Sequence, residues 1–334
     1  MKMRKIPASS LTQREPLLDN ILRPKNLSEF IGQKKIKERL SLIINGAKKR
    51  KEPIDHILFV GPPGVGKTTL AFILAEEQKV SIKAISAPSL QKIGDLVALL
   101  TNAPENGIVF IDEIHRLSSS LEEILYSAME DRSISFIAGK GPGARVLNFK
   151  LPPFTLVGAT TRPALLSNPL RDRFGFIASL DYYSHDEMVE IIKRSQKLLG
   201  IELSEEGVHE VAKRSRGVPR IANRLLKRIR DYIEVEEMGI IDKEEVKKIL
   251  DLMGIDDKGL DDLDRKILFT LRDKFSGGPV GIKTLAAVLN ESPETIEVVY
   301  EPYLLRIGFI QRTPRGRIIT PLGLSHLMRC SDGG

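Results

Sequence analysis

The chain has 334 residues, enough for two or three domains with separate cores, and its 42% of hydrophobic and 28% of charged residues match a soluble globular protein. No apolar run reaches the ~18 residues of a membrane span, and the basic start MKMRKIPASS lacks the apolar core of a secretory signal. A single cysteine, Cys330, excludes a disulfide framework and a cysteine-built metal site and fits a reducing compartment, the cytoplasm. The formal net charge of +7 points to a polyanionic partner, nucleic acid before a membrane surface, with plain solubility as the alternative.

Residues 1–20 show no period and read as a basic arm. From Ile57 the pattern is β-α-β: an apolar strand at Ile57–Val60, a glycine- and proline-rich turn at 61–66, and a helix at Thr68–Gln78. Further strands are predicted at Val80–Ser86, Ile108–Ile111 and Phe154–Thr160, with helical stretches between them. Short apolar strands alternating with helices specify an α/β fold with a parallel sheet covered on both faces. Residues 134–149 break the alternation. Two β-type runs flank Gly139-Lys140-Gly141-Pro142-Gly143, which predicts a hairpin carrying Phe136 and Ile137, either for local packing or for a partner.

From Ser184 the period is helical, with helices expected at 185–199, 205–215, 219–235 and 242–253. Gly254 and the acidic run 256–264 mark a second boundary. The tail reads as helices at 261–275, 282–289 and 293–306, then a hairpin of Phe309–Thr313 and Arg317–Thr320 around Pro314-Arg315-Gly316. Three helices and a hairpin make a winged helix, a variant of helix-turn-helix. The expected domains are therefore the arm at 1–20, an α/β domain at 21–183, a helical domain at 184–255 and a winged helix at 256–334.

GPPGVGKT at 61–68 fits G-x-x-x-x-G-K-[ST], with a strand before it and a helix after it. The glycines let backbone N–H groups turn inward around phosphate oxygens, and the new helix adds its positive end. Lys67 can reach the β- and γ-phosphates, and the Thr68 hydroxyl can ligate Mg²⁺. IVFIDEIH at 108–115 ends an apolar strand in two carboxylates. Asp112 suits a partner of Mg²⁺, and Glu113 can polarise a water for attack on the γ-phosphate; the alternative is a solvated acidic strand end. GATT at 158–161 ends another strand and offers Thr161 to that water or to the γ-phosphate. In PLRDRFG at 169–175, Arg171 and Arg173 cannot easily reach their own phosphate loop if they lie on the far edge of the sheet, so an arginine there suits a neighbouring subunit's nucleotide, or a surface salt bridge. Arg220 opens a helix after Gly217 and Pro219 and can project towards the γ-phosphate. Residues 213–230 hold eight Lys/Arg and no acid, and for Lys227, Arg228 and Arg230 this is a solvated basic face.

GPPGVGKTT, FIDEIHRL, GATTRP with PLRDRFG, and RGVPRIANR together resemble the AAA+ ATPase set, and LRPKNLSEFIGQ at 22–33 resembles that family's N-terminal nucleotide box. RSRGVPR, YEPYLLRIGFIQRTPRGR and the winged-helix tail narrow the resemblance to the RuvB family of Holliday-junction branch-migration ATPases, over residues 20–330. The resemblance implies an AAA+ core, a helical lid and a winged-helix head. It also implies ATP and Mg²⁺ as cofactors, and a hexameric ring on double-stranded DNA loaded by RuvA at a four-way junction, with the RuvC resolvase as a further partner. It places adenine and ribose against Leu22, Arg23 and Tyr183, and the phosphates on Gly64, Gly66, Lys67, Thr68 and Thr69. Asp112 and Glu113 match its Walker B pair, Thr161 its sensor 1, Arg173 its finger in trans and Arg220 its sensor 2. Glu130 and Asp131 match the residues that reach across to the next subunit's nucleotide, and the hairpin within 134–149 matches the element that docks RuvA.

The DNA end can be argued from charge alone. The third tail helix carries Glu294, Glu297 and Glu301, which repel phosphates, whereas Pro302–Ser331 holds five arginines and no acid. Arg312, Arg315 and Arg317 cluster at the hairpin, so the wing and not the helix is expected to meet DNA, without sequence preference. The competing readings are another AAA+ DNA machine such as a clamp loader, which a helical collar would mark, and a nucleotide-gated DNA-binding module, against which Glu113 and Arg173 speak. A DExH helicase would need a second motif set late in the chain. The five histidines, at 56, 115, 185, 209 and 326, show no ligand spacing.

Overall fold

The computed structural model describes residues 20–138, 145–237 and 239–331. The basic arm, apart from residue 20, and the hairpin tip around Gly141 lie outside them, as do the side chains of Phe136 and Ile137. The chain forms two compact units, Met1–Tyr183 and Ser184–Gly334.

The first unit is built on a parallel five-stranded sheet in the order β2-β3-β6-β1-β7, with β1 Ile57–Val60, β2 Ile82–Ser86, β3 Gly107–Asp112, β6 Phe154–Thr160 and β7 Phe176–Ser179. Its central strands are apolar because both faces are covered: every residue of β6 is buried, and in β3 only the final Asp112 is part-exposed. One layer of the core joins Leu58, Val109, Ile111 and Leu156 to Leu96, Leu100, Leu121 and Leu125 from the helices Ile93–Thr101 and Ser119–Asp131. Val60 pairs with Thr160 and Ile111 with Gly158. The carboxyl ends of β3, β6 and β1 therefore stand side by side, the edge where parallel sheets bind ligands. The antiparallel pair β4 Ser133–Ala138 and β5 Arg145–Lys150 leaves this unit as the expected hairpin. The helix Lys34–Arg50, the short helix Asn168–Asp172 and the edge strand β7 escaped the sequence pattern.

The second unit begins with four helices, His185–Leu199, Glu205–Arg214, Pro219–Glu236 and Lys243–Leu252. Ser184 and Asp242 start two of them with capping boxes, through Glu187 and Glu245. The winged helix follows with the helices Asp262–Phe269 and Ile282–Leu289 and a helical stretch over 293–306 that widens to π-helical pitch at Ile296–Tyr300. β8 Ile310–Thr313 and β9 Gly316–Ile319 form the wing. A helix not anticipated, Pro321–Ser331, closes it: Leu327 is fully buried in the same core as Leu268, Leu285 and Leu304, which the three earlier helices do not fill by themselves.

A buried charged seam joins the four helices to the winged helix. Arg214 donates to Glu210 at 2.7 Å, to Asp251 at 2.7 Å and to the Ile255 carbonyl at 2.7 Å, with its side chain fully enclosed. Arg216 donates to the Gly259 carbonyl at 2.7 Å and to Asp264, and its guanidinium lies 4.6 Å from the centre of the Tyr303 ring. Gly259 is held at φ +75°, where a Cβ would stand 2.4 Å from the Arg214 carbonyl oxygen, so only glycine lets the two chains approach this closely. Burial pushes the Asp264 carboxyl up to about 7, against the opposing pull of Arg216.

Candidate nucleotide site and wing

The phosphate loop leaves β1 and turns at Gly61, Gly64 and Gly66, all at positive φ. A Cβ on Gly61 would lie 2.4 Å from the Leu180 carbonyl, and one on Gly66 3.0 Å from the Phe30 ring, so the loop is pressed between β7's exit and the segment after residue 22. Lys67 opens the helix Lys67–Gln78 and is buried. Its ammonium donates to the Gly61 and Pro62 carbonyls at 2.7 and 2.8 Å, so its charge lies within the loop's curve. Thr69 is part-exposed on the first turn of the same helix.

Sheet order brings the remaining groups to this edge. The Thr68 hydroxyl donates to Asp112 across 3.2 Å, which joins the phosphate loop to the end of β3. A hydroxyl and a carboxylate oxygen this close are the two protein ligands a Mg²⁺ ion takes beside water and phosphate, so the residues present fit that ion. Glu113 follows in the left-handed region, at φ +50° and ψ 42°, a conformation that a β-carbon resists and that recurs at reacting centres. From the end of β6, Thr161 donates to Glu113 Oε2 at 3.3 Å. Thr68 with Asp112 and Thr161 with Glu113 therefore meet at one sheet edge, and Lys67 is next to Thr68 in the chain.

The residues expected at the base surround the same loop. Tyr183 is buried and its hydroxyl donates to the Val65 carbonyl at 3.0 Å. Leu22 is buried, and the Arg23 guanidinium lies 4.7 Å from the centre of the Phe72 ring on the phosphate-loop helix. Phe30 and Phe72 were not singled out in the sequence; lone aromatics near a glycine loop carry no signal until the fold brings them there.

Arg173 follows the short helix Asn168–Asp172 and turns onto the helix Ser119–Asp131. It donates to the Tyr126 hydroxyl at 2.7 Å, lies 4.7 Å from that ring's centre, and pairs with Glu130 at 2.6 Å. Glu122 accepts the Ser167 N–H at 3.2 Å. Glu122, Tyr126 and Glu130 are spaced by four, so one stripe of one helix holds the whole 167–173 segment. The structure thus brings Glu130 and Arg173 together. Asp131 is exposed at the helix end, and Arg171 reaches only Asn168, at 3.2 Å. Arg220 is exposed in the first turn of Pro219–Glu236, within the second unit.

The wing gives its three arginines different surroundings. Arg317 is buried and donates through two nitrogens to Glu301, at 3.0 and 2.9 Å, while Glu301 is only 1% exposed. Arg312, half-exposed, also donates to Glu301 at 2.9 Å and reaches Glu297 at 3.4 Å. Burial alone would raise the Glu301 carboxyl, but the hydrogen bonds from Arg312 and Arg317 outweigh it and hold it below the usual range. Arg317 therefore braces the wing from inside through two of its nitrogens, as Arg312 does beside it; a guanidinium has five N–H donors, so neither pairing uses up the side chain. Arg315 stays exposed at the turn.

Comparison with known proteins covers almost the whole chain. Residues 22–180 match the Holliday junction DNA helicase RuvB P-loop domain, 183–256 the RuvB AAA lid domain, and 257–328 the RuvB C-terminal winged helix domain. A Holliday junction branch migration complex subunit RuvB from Fusobacterium nucleatum is 54% identical over 308 residues, 92% of this chain and 93% of that one. Its counterpart from Limosilactobacillus reuteri is 52% identical over 315 residues, 94% and 93% of the two chains. The solved Thermotoga maritima RuvB Holliday junction branch migration motor superposes with a TM-score of 0.84 at 49% identity, covering 92% of this chain and 98% of that one. With its P-loop, lid and winged-helix domains matched in order over residues 22–328, the chain belongs to the RuvB family of AAA+ ATPases, the branch-migration motors.

Proposed function

We propose that the chain acts as a hexameric ring on double-stranded DNA and drives Holliday-junction branch migration with RuvA, in the cytoplasm. The observation that carries the mechanism is the contact of Thr161 with Glu113 beside the Thr68–Asp112 pair, 3.3 and 3.2 Å long. Those groups are the parts that in-line attack on a γ-phosphate needs. ATP lies with its base against Leu22, Arg23 and Tyr183 and its phosphates over Gly64, Gly66, Lys67, Thr68 and Thr69. Thr68 and Asp112 would hold Mg²⁺, which would neutralise charge on the phosphates. Glu113 takes the proton of the attacking water, and Thr161 orients that water or the γ-phosphate. Arg220 senses the γ-phosphate from the lid.

Arg173 completes the site of the neighbouring subunit. Its cradle of Tyr126 and Glu130 supports this reading: a part-exposed arginine held by three contacts on one helix is pre-set in direction, and Glu130 and Asp131 stand beside it for the same nucleotide. The hairpin β4–β5 is the surface for RuvA, where Leu147 is exposed. RuvC is a further partner at the junction.

The deciding experiment is ATP hydrolysis with and without a synthetic four-way junction, with strand separation scored in parallel and RuvA present or absent. Hydrolysis that rises with DNA and junctions that dissociate with RuvA are expected. Hydrolysis without junction movement would favour a different AAA+ DNA machine.

The wing offers a second test. Arg315→Ala is expected to weaken DNA binding and to lower the slope of log K against log salt by about 0.9, one phosphate contact, with the melting temperature unchanged. Arg317→Ala is expected to cost about 2–3 kcal/mol of stability, because it removes two charge-assisted hydrogen bonds from buried Glu301, which keeps Arg312. Equal stability of the two variants would remove the bracing role from Arg317.

A further inference from the structure

Glu113 has a second neighbour that the ATPase chemistry above leaves unused. The His115 side chain is only 4% exposed, although it sits on a polar strand-end loop. Its Nδ1 lies 3.4 Å from Glu113 Oε2 and 2.9 Å from the Thr160 hydroxyl. Thr160 is itself fully buried, and its oxygen accepts the Arg162 N–H at 2.9 Å. With its proton on Nδ1 the ring donates to the Thr160 oxygen and presents the same N–H to Glu113, whose oxygens only accept. Oε2 then faces both this N–H and the Thr161 hydroxyl.

These two donors differ in what else they must do. Thr161 serves the attacking water or the γ-phosphate, and its one proton cannot stay on Glu113 while it does so. The imidazole has no such second duty towards the nucleotide. Glu113 also starts from a left-handed backbone, which by itself does not fix where its carboxylate points. We infer that His115 is the positioning residue for Glu113: its Nδ1–H ties the carboxylate to the end of β6 and keeps it aimed while Thr161 turns to the nucleotide. The inference rests on Glu113 being the base.

The test uses variants of the full chain that differ in where a donor stands. An asparagine amide overlays the imidazole Nδ1, whereas a glutamine amide overlays Nε2. His115→Leu fills the space without a donor and is expected to lower kcat roughly 10²-fold, the scale of a misplaced catalytic group, with KM for ATP and binding of ADP within about twofold. His115→Asn is expected to recover turnover to within a few-fold of the parent, and His115→Gln to stay as slow as His115→Leu. If His115→Leu fails to fold, the Asn–Gln contrast alone decides. Parental kcat in His115→Leu, equal kcat in the Asn and Gln variants, or loss of ADP binding alongside turnover in all three would overturn the inference. Glu113→Gln is measured in the same series: if it turns over ATP normally, the base reading itself falls, and if it is inactive while His115→Leu is normal, only the role of His115 falls.

Discussion

Glu113→Gln is expected to bind ATP with parental affinity and to lose ATP turnover by about 10²–10⁴-fold, the range for removal of a general base. Glutamine keeps the length of the side chain and an acceptor oxygen for the Thr161 hydroxyl, now 3.3 Å from Glu113 Oε2, so the local packing survives. The strained backbone at residue 113 is unchanged, since glutamine meets the same steric penalty there. What disappears is the capacity to take a proton. The phosphate loop and the Thr68–Asp112 pair are untouched, so the loss belongs to kcat and not to binding. Single-turnover hydrolysis combined with nucleotide titration separates the two. Undiminished hydrolysis would remove Glu113 from its role.

Arg173→Ala is expected to be as severe, since an arginine finger supplies about 10³–10⁵ in rate where it has been measured in GTPases. The cost in stability is small: Arg173 is part-exposed, and pairs of that kind contribute about 0–1 kcal/mol. Its own subunit keeps Lys67, Thr68, Asp112, Glu113 and Thr161 in place. Mixing Arg173→Ala with Lys67→Ala subunits sets an intact phosphate loop beside an intact finger at some interfaces. Partial recovery of hydrolysis in the mixture, above the sum of the two separate variants, is the expected result. Parental hydrolysis in Arg173→Ala alone would sink the assignment. Branch migration is not expected to recover with it, because a ring that moves DNA needs turnover at more than the occasional interface.

The nucleotide cluster was legible in sequence because each of its parts lies at the end of an apolar strand or in a glycine turn, and period and punctuation mark both. Parallel topology then aligned Asp112, Thr161 and the loop without further information. The helix Lys34–Arg50 was missed although Ile36, Leu40 and Ile44 recur every four residues, since lysines and arginines between them dilute the apolar stripe. β7 is four residues long and gains its strand character from pairing with β1, which no local pattern announces. Arg317 shows the deeper limit. Read locally, RTPRGR is a solvated basic turn; only the return of the chain onto Glu301, sixteen residues earlier, turns one of its charges inward. His115 is illegible for a similar reason: its partners are a neighbouring carboxylate and a threonine from another strand.

The charged seam at 214–216 and 254–264 also bears on how the molecule can be taken apart. The winged helix has its own apolar core, built around Leu268, Leu304 and Leu327, and by that measure it would pass for a detachable module. Severed near Gly254, however, it would carry away Asp264 without Arg216, and the remainder would keep Arg214 without the Ile255 carbonyl. Both cut faces would expose groups whose solvation was settled by each other. A grafted head would therefore have to bring residues 214–216 with it, and those lie directly before the Gly217-Val218-Pro219-Arg220 turn. The winged helix and the Arg220 turn form one unit of inheritance: neither can be exchanged between relatives without the short stretch that belongs to both.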